Sequence, residues 1–169
     1  MALLTAHTLA QLPDAPALLD FIARQRYAPE NEALLHSPTF ALLPDYAQDV
    51  IWILDFETEY EMQGLPTLLE NSLGQQLPAI ARSFEHTQNQ AIARCLQQLV
   101  AIQATARGPL PAAQSPAAPS APTRGSQAHA LLAQLARLDD ELRPLVLAKD
   151  YWENVQASVQ RRLPQRGPR

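Results

Sequence analysis

Cysteine is nearly absent from this chain of 169 residues: Cys95 is the single one. One thiol cannot close an intramolecular disulfide, so nothing in the chain points to an oxidising compartment. Glycine is also scarce, five residues against fifteen prolines. No apolar run approaches the roughly 20 residues that would span a bilayer. The opening Met1-Ala2-Leu3-Leu4-Thr5 lacks the basic region and long apolar stretch of a signal peptide. The expected compartment is the cytoplasm, with no membrane partner. Between Tyr27 and Ala81 there is no lysine or arginine at all.

That last absence sits inside an uneven charge distribution. The net charge is −4, yet residues 1–100 hold twelve acids and four arginines, while 101–169 hold five acids and nine bases. The base-free stretch carries Glu30, Glu32, Asp45, Asp49, Asp55, Glu57, Glu59, Glu61 and Glu70. Such a field attracts basic partners and repels phosphates, which disfavours direct binding of nucleic acid. The tail from Pro164 to Arg169 has the opposite sign.

Apolar residues make up 47% of the chain, enough for one good-sized core. The prolines cluster in 108–125, GPLPAAQSPAAPSAPTRG, which holds almost no large apolar side chain. Such composition cannot bury enough surface to offset its ordering entropy. In extended form it reaches roughly 3.1 Å per residue, long enough for the C-terminal part of the chain to fold back on the N-terminal part. The expected organisation is therefore one helical domain over 1–163, with an extended insertion at 108–125 before the last two helices and a basic tail at 164–169.

Helical signals recur on both sides of the insertion. Pro16 to Arg26 sets Leu18, Leu19, Phe21 and Ile22 along one side, and Pro29 to His36 is a short candidate. Pro44 to Gln63 is the longest segment, with Gly64 in the helix-ending position. Leu77 to Phe84 and Asn89 to Ala106 are two more. In the latter, Ile92, Cys95, Leu96 and Leu99 form a buried stripe, which makes Cys95 an inert core thiol. Leu131, Leu135, Leu138 and Leu142 recur at heptad spacing until Pro144, where a break is expected; Trp152, Val155, Val159 and Leu163 supply a second stripe. Two heptads are too few for a free-standing coiled coil, so both stripes read as core. Trp52 and Tyr60 read as core or rim aromatics.

Asp55-Phe56-Glu57-Thr58-Glu59-Tyr60-Glu61-Met62 alternates acids with apolar or β-favouring residues. A strand would gather all four carboxylates on one face. A helix would split them into two i, i+4 pairs, Asp55 with Glu59 and Glu57 with Glu61. Each like-charged pair costs roughly 0.2–0.5 kcal/mol, and acids late in a helix oppose its dipole. Local physics alone leans slightly to strand.

Residues 56–74, FETEYEMQGLPTLLENSLG, resemble a bacterial domain family of DNA-mimic-like proteins related to a Neisseria DNA mimic. The family pattern is an acidic helix, a short glycine-containing turn, an apolar helix and an Asn-Ser-x-Gly ending. Gln63-Gly64 and Asn71-Ser72-Leu73-Gly74 stand at those places, and Leu138 to Leu142 resembles a second family element. Gln63 replaces the first glycine of the turn, and the family's Ile-Gly-Ala segment is absent around Glu85 to Thr87. The resemblance implies an all-α fold, hence helix over 55–62, and a role in binding proteins.

Motifs for chemistry are thin. His7, His36, His86 and His129 are isolated, without metal-ligand spacing, and no nucleophile elbow, phosphate loop or dinucleotide fingerprint occurs. No cofactor and no catalytic residue is expected. Carboxylate-based acid/base chemistry by the 55–61 acids is the weakest of three readings. The first is an immunity-type inhibitor that neutralises a bacterial toxin; the second is a DNA mimic that occupies a DNA-binding protein. Nine acids within 55 residues, the densest four within seven, suit a compact patch better than a long phosphate-like row. The expected partner-binding surface is Asp49, Asp55, Glu57, Glu59, Glu61, Glu70 and Asn71, facing a basic protein surface. No oligomeric state is implied.

Overall fold

The computed structural model describes residues 3–107 and 124–164. Most of the expected insertion (108–123) and most of the basic tail (165–169) lie outside the described residues. Among the described residues every regular element is helical, as expected. The order is α1 (Ala6–Ala10), α2 (Ala15–Gln25), three 3-10 turns between Pro29 and Leu42, α3 (Asp45–Glu70), a 3-10 turn at Leu73–Gln76, α4 (Leu77–His86), α5 (Gln90–Arg107), α6 (Arg124–Ala148) and α7 (Tyr151–Arg162).

Local chemistry explains where these elements begin. α1 starts at a reciprocal cap: the Thr8 amide donates to the Thr5 hydroxyl, and the Thr5 amide donates to the Thr8 hydroxyl. α2 is capped by Asp14, whose carboxylate accepts from the Ala17 amide at 2.9 Å, with Pro16 in the first turn. Where a short helix was expected over Pro29 to His36, the chain makes two separate 3-10 turns, Pro29–Asn31 and Leu34–His36.

α3 is the centre of the fold. Tyr46, Ala47, Val50, Ile51, Ile53, Phe56 and Tyr60 are buried and lie around much of its circumference, the mark of a helix enclosed by its neighbours. Segment 55–62 is helical, so the tertiary environment overrides the local lean to strand. At Gly64 the backbone leaves the helix with φ 73°, and Pro66 opens a second helical stretch from Leu65 to Glu70. Asn71 then closes that stretch as its carboxamide oxygen accepts the amides of Leu73 and Gly74. Gly74 is required for a different reason: a Cβ there would sit 2.5 Å from the Leu68 carbonyl oxygen.

The prolines and the helix ends supply two further findings. Pro144 does not end α6, which runs on to Ala148. Pro144 is exposed, so water can serve the carbonyl that loses its N–H partner. The helix also takes in Arg124 and Gly125, the last two residues of the expected insertion. Between α4 and α5, Asn89 N–H donates to Phe84 and Gln88 N–H to Glu85, a Schellman closure with Gln88 at φ 64° in the left-handed position.

One core joins the two sides of the insertion. Phe56 and Phe84 meet edge to face at 5.6 Å, and Phe84 meets Tyr151 of α7 in the same way. Leu138, Leu142 and Val146 of α6 and Val155 and Val159 of α7 are buried in the same cluster as Leu18, Ile51 and Leu96. The chain is an all-α single domain. Cys95 is buried in that cluster, where burial raises its thiol pKa and adjacent Glu141 adds to the effect.

A glycine is the natural occupant of the position that Gln88 fills. Replacing Gln88 by Gly should raise stability by roughly 0.5–1 kcal/mol, since the left-handed conformation strains a side chain with a Cβ. Chemical denaturation of the wild type and Gln88→Gly checks this; a lower midpoint in the variant would refute it.

Candidate partner-binding cleft

Helical geometry at 100° per residue sends the central carboxylates of α3 to three different sides. Asp49 faces α4 and α7: Arg162 Nη1 donates to its Oδ2 at 2.7 Å, and His86 Nδ1 lies 3.2 Å from Oδ1. Asp55 faces the end of α2: Arg26 donates twice to Oδ2, from Nε at 3.1 Å and Nη2 at 2.8 Å. Glu57 faces α7: the Tyr151 hydroxyl donates to Oε1 at 2.7 Å, and the Trp152 indole N–H donates to the same carboxylate. Lys149 Nζ lies 3.4 Å from Glu57 and 3.0 Å from Glu61. The two i, i+4 pairs are thus formed, and the second shares one lysine.

This placement corrects the expected surface. Asp49, Asp55 and Glu57 are buried, at 4%, 4% and 8% exposure, and are neutralised from inside the molecule. The acids of 55–61 face a local cost, but they also have a tertiary benefit that the local argument did not contain. Glu61 and Glu70 are exposed, and Glu59 and Asn71 are half-buried.

Three of the seven expected residues share one feature. Asp55, Glu59 and Asn71 line a cavity of about 340 Å³ between the end of α2, the turns after it and α3, together with Arg26, Tyr27, Glu32 and His36. Asp49, Glu57, Glu61 and Glu70 do not line it. Within the cavity the Tyr27 hydroxyl lies 3.1 Å from Asp55 Oδ1 and 2.8 Å from Thr58 Oγ1, and the Arg26 guanidinium carbon stands 5.4 Å from the Tyr27 ring centre. Glu59 accepts from the amides of Gln63 at 2.6 Å and Asn71 at 2.9 Å, both uncharged donors. Among the described residues Arg26 is the one arginine or lysine lining the cavity, and Asp55 holds it; Glu32 and Glu59 have no ion pair there.

The titration behaviour reflects burial. Desolvation raises the Asp55 pKa above its ordinary value even against Arg26 and the Tyr27 hydrogen bond. Desolvation likewise raises the Tyr27 phenol from 10.0 to about 12, and those of Tyr46, Tyr60 and Tyr151 also rise. For Tyr60 and Tyr151 a carboxylate acceptor, Asp139 and Glu57 respectively, adds to the effect.

Sequence reasoning missed Arg26, Tyr27, Lys149, Tyr151, Trp152 and Arg162 as partners of the acids. A signal was present: a stretch without bases that buries carboxylates must be met by cations from outside it, and Arg26 stands at its edge. Among the described residues no group of three His, Cys, Asp or Glu could hold a metal ion, and no helix is long and apolar enough to cross a membrane. No family model, no curated protein and no solved structure matches the chain. The likeness to the DNA-mimic-like family therefore rests on residues 56–74 and the second element at Leu138 to Leu142 alone.

This geometry has two measurable outcomes. Asp55→Asn leaves the guanidinium of Arg26, whose side chain is 8% exposed, buried without its counter-ion. Unfolding in denaturant should show a loss of about 3–5 kcal/mol, and the double change Arg26→Met with Asp55→Leu should recover much of it. A single variant as stable as the wild type would contradict the pairing. The second outcome concerns alkaline pH. All four phenols are raised, so the fold favours their neutral forms; that stability is complete below pH 10 and is lost as pH rises beyond it. Phenolate absorbance should be nearly absent from the native protein at pH 10 and should appear together with unfolding. Half-ionisation at pH 10 with the helical signal intact would contradict this.

Proposed function

We propose that the chain is a non-catalytic acidic binding protein that neutralises a basic protein partner, as an immunity-type inhibitor neutralises a bacterial toxin. The partner's cation enters the cleft between α3 and the turns that follow α2. The observation that carries this reading is the imbalance of the cleft: among the described residues Glu32 and Glu59 have no cation of the protein's own, while Arg26 is already held by Asp55. Its surroundings fit an interface. Tyr27 is 54% exposed at the cleft, and Met62, one helical turn beyond Thr58, is 74% exposed. Tyrosine and methionine are enriched in protein–protein contacts and give rigid or adaptable apolar area beside a charge.

The DNA-mimic reading is the alternative and fares less well. A mimic needs acids at phosphate-like intervals over a long surface. Burial of Asp49, Asp55 and Glu57 removes three of the nine acids of the base-free stretch from any such row.

Capture from the native cell with the wild type and with Glu32→Gln/Glu59→Gln tests the proposal. Both glutamines keep an acceptor oxygen, so the contacts of Glu59 to Gln63 and Asn71 survive. The wild type should retain a basic protein at low salt, and the double variant should bind it about tenfold more weakly and with a flatter salt dependence. Equal affinity in a folded double variant would sink the reading.

A further inference from the structure

α2 and α7 meet near one end, where the Ala15 amide donates to Gln160 Oε1 at 3.1 Å. Further along they leave a groove of about 440 Å³ over α3. Val50 and Leu54 of α3 line it with Leu19 and Ala23 of α2 and the half-buried indole of Trp152. The volume falls in the range of small-molecule sites, roughly 300–1,000 Å³. Among the described residues every charged side chain that lines this groove is a carboxylate: Asp20, Glu57 and Glu153. Arg24 and Lys149, which pair with Asp20 and Glu57, do not line it. Glu57 is fixed in place by the hydroxyl of Tyr151 and the indole N–H of Trp152.

We propose that this groove binds a small hydrophobic amine, its apolar body against Val50, Leu54 and the Trp152 ring and its ammonium group among the three carboxylates. A cation is chosen over an anion by the sign of the lining, and over a neutral molecule by the charge-assisted hydrogen bonds it gains. An indole face beside the ammonium adds a cation–π attraction. The groove shares no lining residue with the proposed partner cleft, so the inference stands apart from the partner-binding reading.

The test uses the full chain with Trp52→Phe, which leaves Trp152 as the sole indole and therefore the reporter. 2-Phenylethylamine, 2-phenylethanol and 3-phenylpropanoate share a phenyl body and differ in charge. The amine should change Trp152 emission saturably at pH 7, the alcohol should bind about tenfold more weakly, and the carboxylate more weakly still. Ala23→Phe, an exposed helical position on the groove wall, should abolish the response at an unchanged thermal midpoint. Asp20→Asn with Glu153→Gln, both exposed, should weaken the amine about threefold. Equal binding of the three probes, no saturable response to the amine, or an unchanged response in folded Ala23→Phe would overturn the proposal. Should Ala23→Phe lower the midpoint, the neutralised pair decides: full affinity without those two carboxylates rejects the site.

Discussion

Three carboxylates on one enclosed helix have to be met by cations that the helix's own surroundings in sequence cannot supply. From Tyr27 to Ala81 the chain has no lysine or arginine, yet Asp49, Asp55 and Glu57 are buried within that stretch. Their counter-charges come from Arg26 just before it and from Lys149 and Arg162 far after it. An isolated buried carboxylate is costly enough that the helix cannot occupy the centre without these partners. The packing of α2 and α7 on α3, and the corner between α6 and α7, are tied to this one requirement.

Such pairs add little net stability compared with well-packed apolar side chains. The raised Asp55 carboxyl is in keeping with that, since desolvation outweighs its arginine and tyrosine partners. What the pairs supply is position. An apolar face tolerates rotation of one helix against the next, whereas Asp55 accepting both Nε and Nη2 of Arg26 does not. The phenols repeat the device: Tyr151 donates to Glu57 and Tyr60 to Asp139, so α7 and α6 are each placed by a directional bond as well as by area.

Much of the fold was legible because the relevant signals are local. Pro16, Pro44 and Gly64 mark ends of helical stretches where they were expected, and the stripe of Ile92, Cys95, Leu96 and Leu99 is buried as its spacing requires. Pro144 misled because whether a proline breaks a helix depends on who serves the orphaned carbonyl, and an exposed position leaves that to water. α1 went unread because a five-residue helix has no periodicity to detect; its signal was the Thr5/Thr8 pair alone. The spacing of the acids was legible, but their facing was not. The i, i+4 pairing of the acids follows from their spacing, but which carboxylates face inward depends on residues as distant as Arg162. The cleft itself owes its shape to Tyr27 and the turns after α2, which carry no period at all.

Lys149 is the chain's single lysine, and it stands in left-handed backbone at φ 59° where α6 turns into α7. Its ammonium group is half-exposed while it spans Glu57 and Glu61. Amine chemistry on the side chains of this protein therefore has one address. Acylation there, whether by an enzyme or by a coupling reagent, would take from Glu57 and Glu61 the cation they share at the turn between the last two helices. Attachment of the protein to a surface through its lysine side chain would hold it by the joint that sets α7, whereas a tag at an exposed α5 position such as Gln98 leaves that joint alone.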